Sequence, residues 1–404
     1  MTDVRRSGFK EVTRLRAARD RLLEAVDPHE RTDRLPLSRA AGRVLAESVE
    51  ARRDVPHYPR AAMDGWAVRA EDTFGASDRS PARLRAAEDT VVPGEAVRVH
   101  TGSELPDGAD AVVMVEQVDE RGEDLELFDA VAERENVAPP GEDVNAGQAL
   151  YEPGHRLRGS DLGLLKSTGI REVEVYQRPT VGVIPTGEEL VERDPEPGEV
   201  VETNGLTVSR FVEDWGGAAA YRNVVTDDYD ALRAAVERDL TKDVVVTTGG
   251  SSVGERDLIP EVIDDLGEVL VHGVALKPGH PVGLGVVRDT PVIMLPGYPV
   301  ACIVNAVQFL RPAMKRAGHM PLPDHPTREA TLTRKIPSEP GIRTFARVST
   351  EATDDGLAAT PTRASGSGVL SSVALADGWV QVPEGQEGIP EGESVVVENW
   401  EYQP

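Results

Sequence analysis

The chain has 404 residues, 70 acidic against 44 basic, and a net charge of −26 with histidine neutral. That balance repels nucleic-acid backbones and anionic membranes, so neither is an expected partner. Hydrophobic residues make up 39%, enough for real cores, and a domain size of roughly 150 residues allows two to four domains. Six of the basic residues are lysines, so 44 less six leaves 38 arginines. An acidic, lysine-poor surface is expected of a protein kept soluble in high salt, with arginine-rich codon usage as the plainer reading. Cys302 is the only cysteine. It rules out an internal disulfide, fits a reducing cytosol, and sits in an apolar helical run that suits packing. The N-terminal residues are charged and lack an apolar signal core, so a cytoplasmic location is expected. The most apolar stretch, 291–310, is broken by Pro296, Gly297 and Pro299 and does not read as a membrane span.

In chain order, Phe9, Val12, Leu15, Arg19, Leu22 and Val26 recur every three or four residues and predict an amphipathic helix over 9–26. Ser38 reads as the N-cap of a second helix burying Ala41, Val44 and Leu45. From 50 to 145, short apolar runs at 97–99, 111–115 and 125–128 alternate with Gly, Pro and Asp turns and predict a mostly β module. Gly147, Gly154 and Gly169 mark tight turns in a mixed stretch to 175. Strands then alternate with helices. Strands are expected at 181–184, 222–225, 244–247, 269–276 and 292–295. The helices between them are capped by Asn204 and Asp227, carry Val262, Ile263 and Leu266, and end in a long run over 299–316. That alternation means a doubly wound, mostly parallel α/β sheet. After Pro321-Leu-Pro323 the pattern is short strands with Gly turns, a small C-terminal β domain.

Ligands of such sheets bind off the carboxyl ends of the strands. There the sequence places 185–189 (PTGEE), 247–254 (TTGGSSVG) followed by Asp257, 277–281 (KPGHP) and 295–299 (LPGYP). Gly249, Gly250, Ser251, Ser252 and Gly254 offer backbone N–H groups to an anion. The loop is neither a Walker loop nor a dinucleotide fingerprint. Glu188, Glu189, Asp227, Asp228 and Asp257 also follow strands. A like-charge pair 4 Å apart costs about 4 kcal/mol at an effective dielectric near 20, so carboxylates expel an anion unless a divalent cation lies between them. Mg²⁺ suits an all-oxygen set, with Lys277 adding local positive charge; no His/Cys cluster has zinc spacing. In the β module, Asp64-Gly65 reads first as a turn and Trp66 as a core aromatic.

Taken together, AAMDGWAVRAEDT, HTGSELPDGADAVVMVE, GEDV, GVIPTGEEL, ETNG, TTGGSSVGERD, LKPGHP and LPGYPVA resemble the MoeA family of molybdenum insertases, molybdopterin molybdenumtransferases related to the gephyrin E domain. The resemblance runs from about Ala40 to Val382. It implies an elongated, cytoplasmic homodimer with four domains per subunit: a split N-terminal helical domain (1–48 and 145–177), a β-rich domain (49–144), an α/β molybdopterin-binding domain (178–320) and a C-terminal β domain (321–404). It also implies a reaction in which adenylylated molybdopterin and molybdate are the substrates, AMP is released and Mg²⁺ assists. An adenylyltransferase would then be a partner supplying the substrate. Carried onto matching positions, Asp64, Thr101 and Asp143 serve the site of the other subunit. Glu189, Asp228 and Asp257 fall in the substrate and metal cleft. Lys277, Pro296 and Pro299 match the anion-binding loops, and Arg343 and Ser367 match the oxyanion contacts. Two departures stand out: His280 where the family has a second lysine, and Tyr298 and Ala301 where it has Asn and Ser. A tungstate-inserting paralogue, a molybdopterin adenylyltransferase and a gephyrin-like binding scaffold are the alternative functions.

Overall fold

The computed structural model describes residues 12–249, 258–362 and 366–402. They form two compact units, one of residues up to 33, 42–44 and from 176 onward, the other of residues 34–41 and 45–175.

The first unit opens with helix α1 (Leu15–Glu24), shorter than the pattern predicts. Leu15, Ala18 and Leu22 are its buried stripe; Val12 is exposed, and Arg19 instead reaches Gln308 with its guanidinium. These residues share a core with Val304, Phe309 and Met314 of the later helical run. So α1 belongs to the α/β unit, not to the split segment in which the sequence places it.

In the second unit, strands β1 (Gly65–Val68), β2 (Ala82–Ala87), β3 (Glu95–Val99), β4 (Ala111–Met114), β5 (Val118–Arg121) and β6 (Asp124–Leu127) form one sheet in the order β4-β1-β3-β2-β6-β5. Only β2 and β3 run parallel. Trp66, the core aromatic expected there, packs with Leu84, Val113, Leu125 and Leu127 in the core of this sheet. Asp64-Gly65 is no free turn: Gly65 opens β1, and a Cβ there would collide with the Val113 carbonyl of β4. A separate core joins Leu35, Leu37, Ala40, Leu45 and Val49 to Leu157, Leu165 and Val175. This is the split module, yet it is scarcely helical. It has one α-helix, α2 (Gly159–Ser167), and only a single 3₁₀ turn at Leu37–Arg39 stands where Ser38 predicts a helix.

The α/β sheet of the first unit takes strands and helices in turn: β7 (Thr180–Pro185), α3 (Asn204–Asp214), β8 (Ala218–Tyr221), α4 (Tyr229–Asp239), β9 (Val244–Thr248), α5 (Leu258–Leu266), β10 (Glu268–His272), then, after a short strand β11 (Leu276–Lys277), β12 (Gly283–Val287) and β13 (Thr290–Leu295). The order is β8-β7-β9-β13-β12-β10. β8, β7, β9 and β13 are parallel, whereas β12 is antiparallel to both its neighbours. β9 is buried along its length, as a β-branched run covered on both faces must be. The strand predicted at 222–225 lies earlier, at 218–221, and Arg222 instead pairs with the fully buried Asp239. The single strand predicted at 269–276 is two. β11 leaves this sheet and pairs with the C-terminal one, Lys277 opposite Thr344. The long helical run is α6 (Pro299–Asn305), a π turn (Ala306–Leu310) and α7 (Arg311–Ala317). Cys302 is fully buried within it, and burial pushes its thiol far above the ordinary range, so it is a packing residue.

The C-terminal strands β14 (Thr327–Leu332), β15 (Arg343–Thr353), β16 (Gly356–Pro361), β17 (Gly378–Val382) and β18 (Ser394–Glu398) pair in the order β15-β16-β14-β18-β17. A further pairing of β15 with β17 closes them into a small barrel. Phe345 meets Trp379 edge-on and Trp379 stacks on Trp400, and all three rings share the α/β core.

Candidate functional site

The carboxyl ends of β7, β9 and β13 meet at one rim of the first unit. Thr186, just past β7, donates its N–H to the Thr248 carbonyl at 3.4 Å, and Gly249, just past β9, donates to Leu295 at the end of β13 at 3.0 Å. Gly249 has φ +133°, and a side chain there would drive into the Thr186 backbone. A Cβ on Gly297 would lie 3.5 Å from the Gly249 Cα, so the two glycine loops touch with no side chain between them. The hydroxyls of Thr186, Thr247 and Thr248 are buried beneath this meeting point with no partner among the described residues.

Asn204 adds a tie that the sequence reading misses. The cap it predicts belongs to Thr203; the Asn204 amide instead donates to the Gly297 carbonyl at 2.7 Å. Glu202 is buried under the start of α3, accepting from the Gly205 N–H at 2.6 Å and from the Tyr221 hydroxyl. The ETNG segment thus holds the 295–299 loop in place.

Acidic residues crowd the end of β7. Burial and the nearby charges of Glu189 and Glu188 raise the Asp227 carboxyl above its ordinary value. The cap predicted for Asp227 is supplied by Asp228, whose carboxylate accepts from the Ala231 N–H at 2.9 Å. Glu189 folds back over Gly187, and Gly187 donates to Val225 at 3.2 Å. No group of three or more potential metal ligands is drawn together among the described residues. Two or three carboxylate oxygens without nitrogen or sulfur suit a hard cation that keeps water and ligand oxygens in its other positions, and they do not suit zinc. Gly250, Ser251, Ser252, Gly254 and Asp257 lie outside the described residues.

The 277–281 loop joins the same rim through α6. The Asn305 amide donates to the Gly279 carbonyl at 2.9 Å and to that of Ala301 at 2.8 Å. Lys277 is exposed and paired with Glu339 at 2.9 Å. Burial lowers His280 below the ordinary histidine range, leaving it neutral at pH 7. Val300 of α6 donates to the Ser367 carbonyl at 3.0 Å, which brings the 366–368 loop against the same turn. Pro296 is buried and Pro299 opens α6. Arg343 donates to Glu384 at 3.2 Å and receives Ala275 as acceptor for its own N–H. In the second unit, Asp64 accepts from the Thr101 N–H at 2.6 Å and hydroxyl at 2.7 Å, and these bonds lower its carboxyl. Asp143 stands exposed on another loop, its N–H donated to Val55 at 2.9 Å.

Chemically, the rim of the first unit offers two glycine loops in close approach, neighbouring carboxylates that raise one another, and one exposed ammonium paired with Glu339. Three family models match the chain: MoeA N-terminal region (domain I and II) over residues 13–169, probable molybdopterin binding domain over 182–316, and MoeA C-terminal region (domain IV) over 329–400. A putative molybdopterin biosynthesis protein of Methanocaldococcus jannaschii is 37% identical over 390 residues, 94% of either chain. A molybdopterin molybdenumtransferase of Bacillus subtilis is 33% identical over 383 residues, 91% of this chain and 89% of its own. The solved structure of a molybdopterin biosynthesis MoeA protein from Pyrococcus horikoshii OT3 superposes with a TM-score of 0.81 at 33% identity, covering 96% of this chain and 99% of that one.

Proposed function

We propose a reaction for this rim on one premise: the chain belongs to the MoeA family and is a molybdopterin molybdenumtransferase of molybdenum cofactor biosynthesis. The reaction is insertion of molybdate into adenylylated molybdopterin with release of AMP. The observation that carries this reading is the meeting of open glycine backbone with an uncompensated carboxylate cluster at one sheet edge. Both substrates are anions, and neither approaches Asp227, Glu188 and Glu189 without a counter-charge.

Magnesium fits that requirement. Glu189, Asp228 and Asp257 are the residues that would hold it, with Asp227 adding its carboxyl beside Glu189, and when bound it would neutralise phosphate oxygens at the developing leaving group. The protein's own part is positioning and electrostatics. The backbone at Gly297 would face the phosphate and the oxyanion, while the Gly249 N–H is given to Leu295 and holds that loop in place. Asn204 fixes the Gly297 loop and Asn305 the 277–281 loop, so little freedom is lost there when the anions bind. Lys277, exposed and paired with Glu339, would supply its ammonium to the oxyanion. His280 donates a neutral hydrogen bond there rather than a charge. No side-chain nucleophile is required. This reading retains the four-domain division with α1 moved to the α/β domain. It also includes the homodimer, Asp64, Thr101 and Asp143 serving the partner subunit, and an adenylyltransferase upstream.

The test is AMP release from adenylylated molybdopterin, followed by chromatography. Release that requires both molybdate and Mg²⁺ supports the reading. Consumption of ATP to make adenylylated pterin, with no molybdate-dependent AMP release, would replace it with the adenylyltransferase.

A further inference from the structure

Tyr298 is a feature of this rim that the reaction above leaves unused. The residue is 62% exposed, although a tyrosine ring gains from burial. It is not an accident of a loose loop. Its neighbour Gly297 is tied by the Asn204 amide and touches the Gly249 loop. Its own carbonyl accepts from the Cys302 N–H at 2.9 Å in the first turn of α6. The ring lies beside Gly368: a methyl group built there would sit 3.4 Å from Cδ1 and 3.7 Å from Cε1. The 366–368 loop is in turn pinned by the Val300-to-Ser367 hydrogen bond. A flat ring with a fixed backbone, one side against Gly368 and an open surface is thus held at the edge of the glycine loops.

We propose that the Tyr298 ring is a stacking platform for a planar heteroaromatic ring of the substrate, and so a specificity-determining residue at this site. The inference rests on the reading above, which supplies a substrate carrying two such rings, a pterin and an adenine, joined through phosphate. Charge alone makes the glycine loops accept any phosphate. An aromatic face selects the phosphate that carries a ring, and it works without a fixed charge in a chain of net charge −26. The hydroxyl is incidental to stacking; the ring is what matters.

The experiment measures binding of AMP and, separately, of pterin-6-carboxylate to the full-length protein and to Tyr298→Phe, Tyr298→Ala and Tyr298→Asn, by quenching of ligand fluorescence for the pterin and calorimetry for AMP. Tyr298→Ala and Tyr298→Asn should weaken one of the two ligands about five- to a hundredfold, the range of base–aromatic stacking, while Tyr298→Phe stays within about twofold of the wild type. Loss confined to AMP assigns the adenine to the ring, and loss confined to the pterin assigns the pterin. Unchanged binding of both ligands to Tyr298→Ala, or equal loss in Tyr298→Phe and Tyr298→Ala, overturns the stacking role while leaving the insertase reading intact. A wild-type protein that binds neither ligand overturns both.

Discussion

At the scale of single residues, the rim depends on where charge is and where it is missing. Lys277 carries the only lysine charge on the 277–281 loop, and its pair with Glu339 is exposed. Exposed pairs contribute little to folding, so Lys277→Ala should lower molybdate-dependent AMP release at least about tenfold while leaving the thermal midpoint nearly unchanged. A normal rate in that variant would remove Lys277 from the site. His280→Lys adds a charge where burial keeps the histidine neutral at pH 7. The apparent KM for molybdate should fall about threefold or more, read in steady-state assays at fixed adenylylated pterin. Residue types were legible in the sequence wherever chemistry forced them, as with the glycines of the loops and the acids after β7. Asn204 was not: an asparagine before a helix looks like a cap, and its true partner is 93 residues away. Asp227 and Asp228 exchange roles for a similar reason. Either can cap α4, and only the geometry shows which one faces Glu189.

At the scale of elements, strands covered on both faces were legible because β-branched runs such as Val244–Thr248 have few other uses. β12 was not, because Gly283 and Gly285 dilute its pattern. Those glycines are required where Met294 of β13 and Ile263 of α5 fill the space a side chain would take. The helix expected at Ser38 failed because Ala40 and Leu45 bury themselves in the split core from a turn and a bridge instead. The pairing of Arg222, just after β8, with Asp239 at the end of α4 fixes how that helix lies on β7. Asp239 is fully buried, and the Cβ that Gly182 lacks would press on it. Arg222→Met leaves that carboxylate with only the more exposed Arg238 at 3.3 Å. Urea unfolding should show a loss of about 3 kcal/mol. A loss below about 1 kcal/mol would mean that Arg238 alone satisfies Asp239.

At the scale of the whole molecule, acid should act in two windows. Burial, with the nearby Arg311 charge, lowers His325 from its ordinary 6.5 to about 4. The unfolded chain therefore binds this proton from about pH 6.5 downward, while the folded chain resists it until about pH 4. Stability is full above 6.5 and falls as the pH drops toward 4. Burial by itself would raise Asp161, but hydrogen bonds from Arg158, His155 and Tyr151 outweigh it and hold the carboxyl far below 3.8. That carboxylate costs stability only below about pH 4. The thermal midpoint should thus decline between pH 6.5 and 4 in the wild type, and His325→Gln should flatten that decline while leaving the fall below pH 4. An unchanged slope between 6.5 and 4 in the variant would remove His325 as its source.

The account stands on anions being held at the rim where the loops after β7, β9 and β13 meet the 277–281 and 366–368 loops. Anomalous diffraction from crystals soaked with molybdate and adenylylated pterin in Mg²⁺ locates the oxyanion directly. The account predicts a molybdenum peak within hydrogen-bonding range of Lys277 and the loops at Gly297 and Ser367. A well-occupied peak elsewhere, with those loops empty, would contradict it.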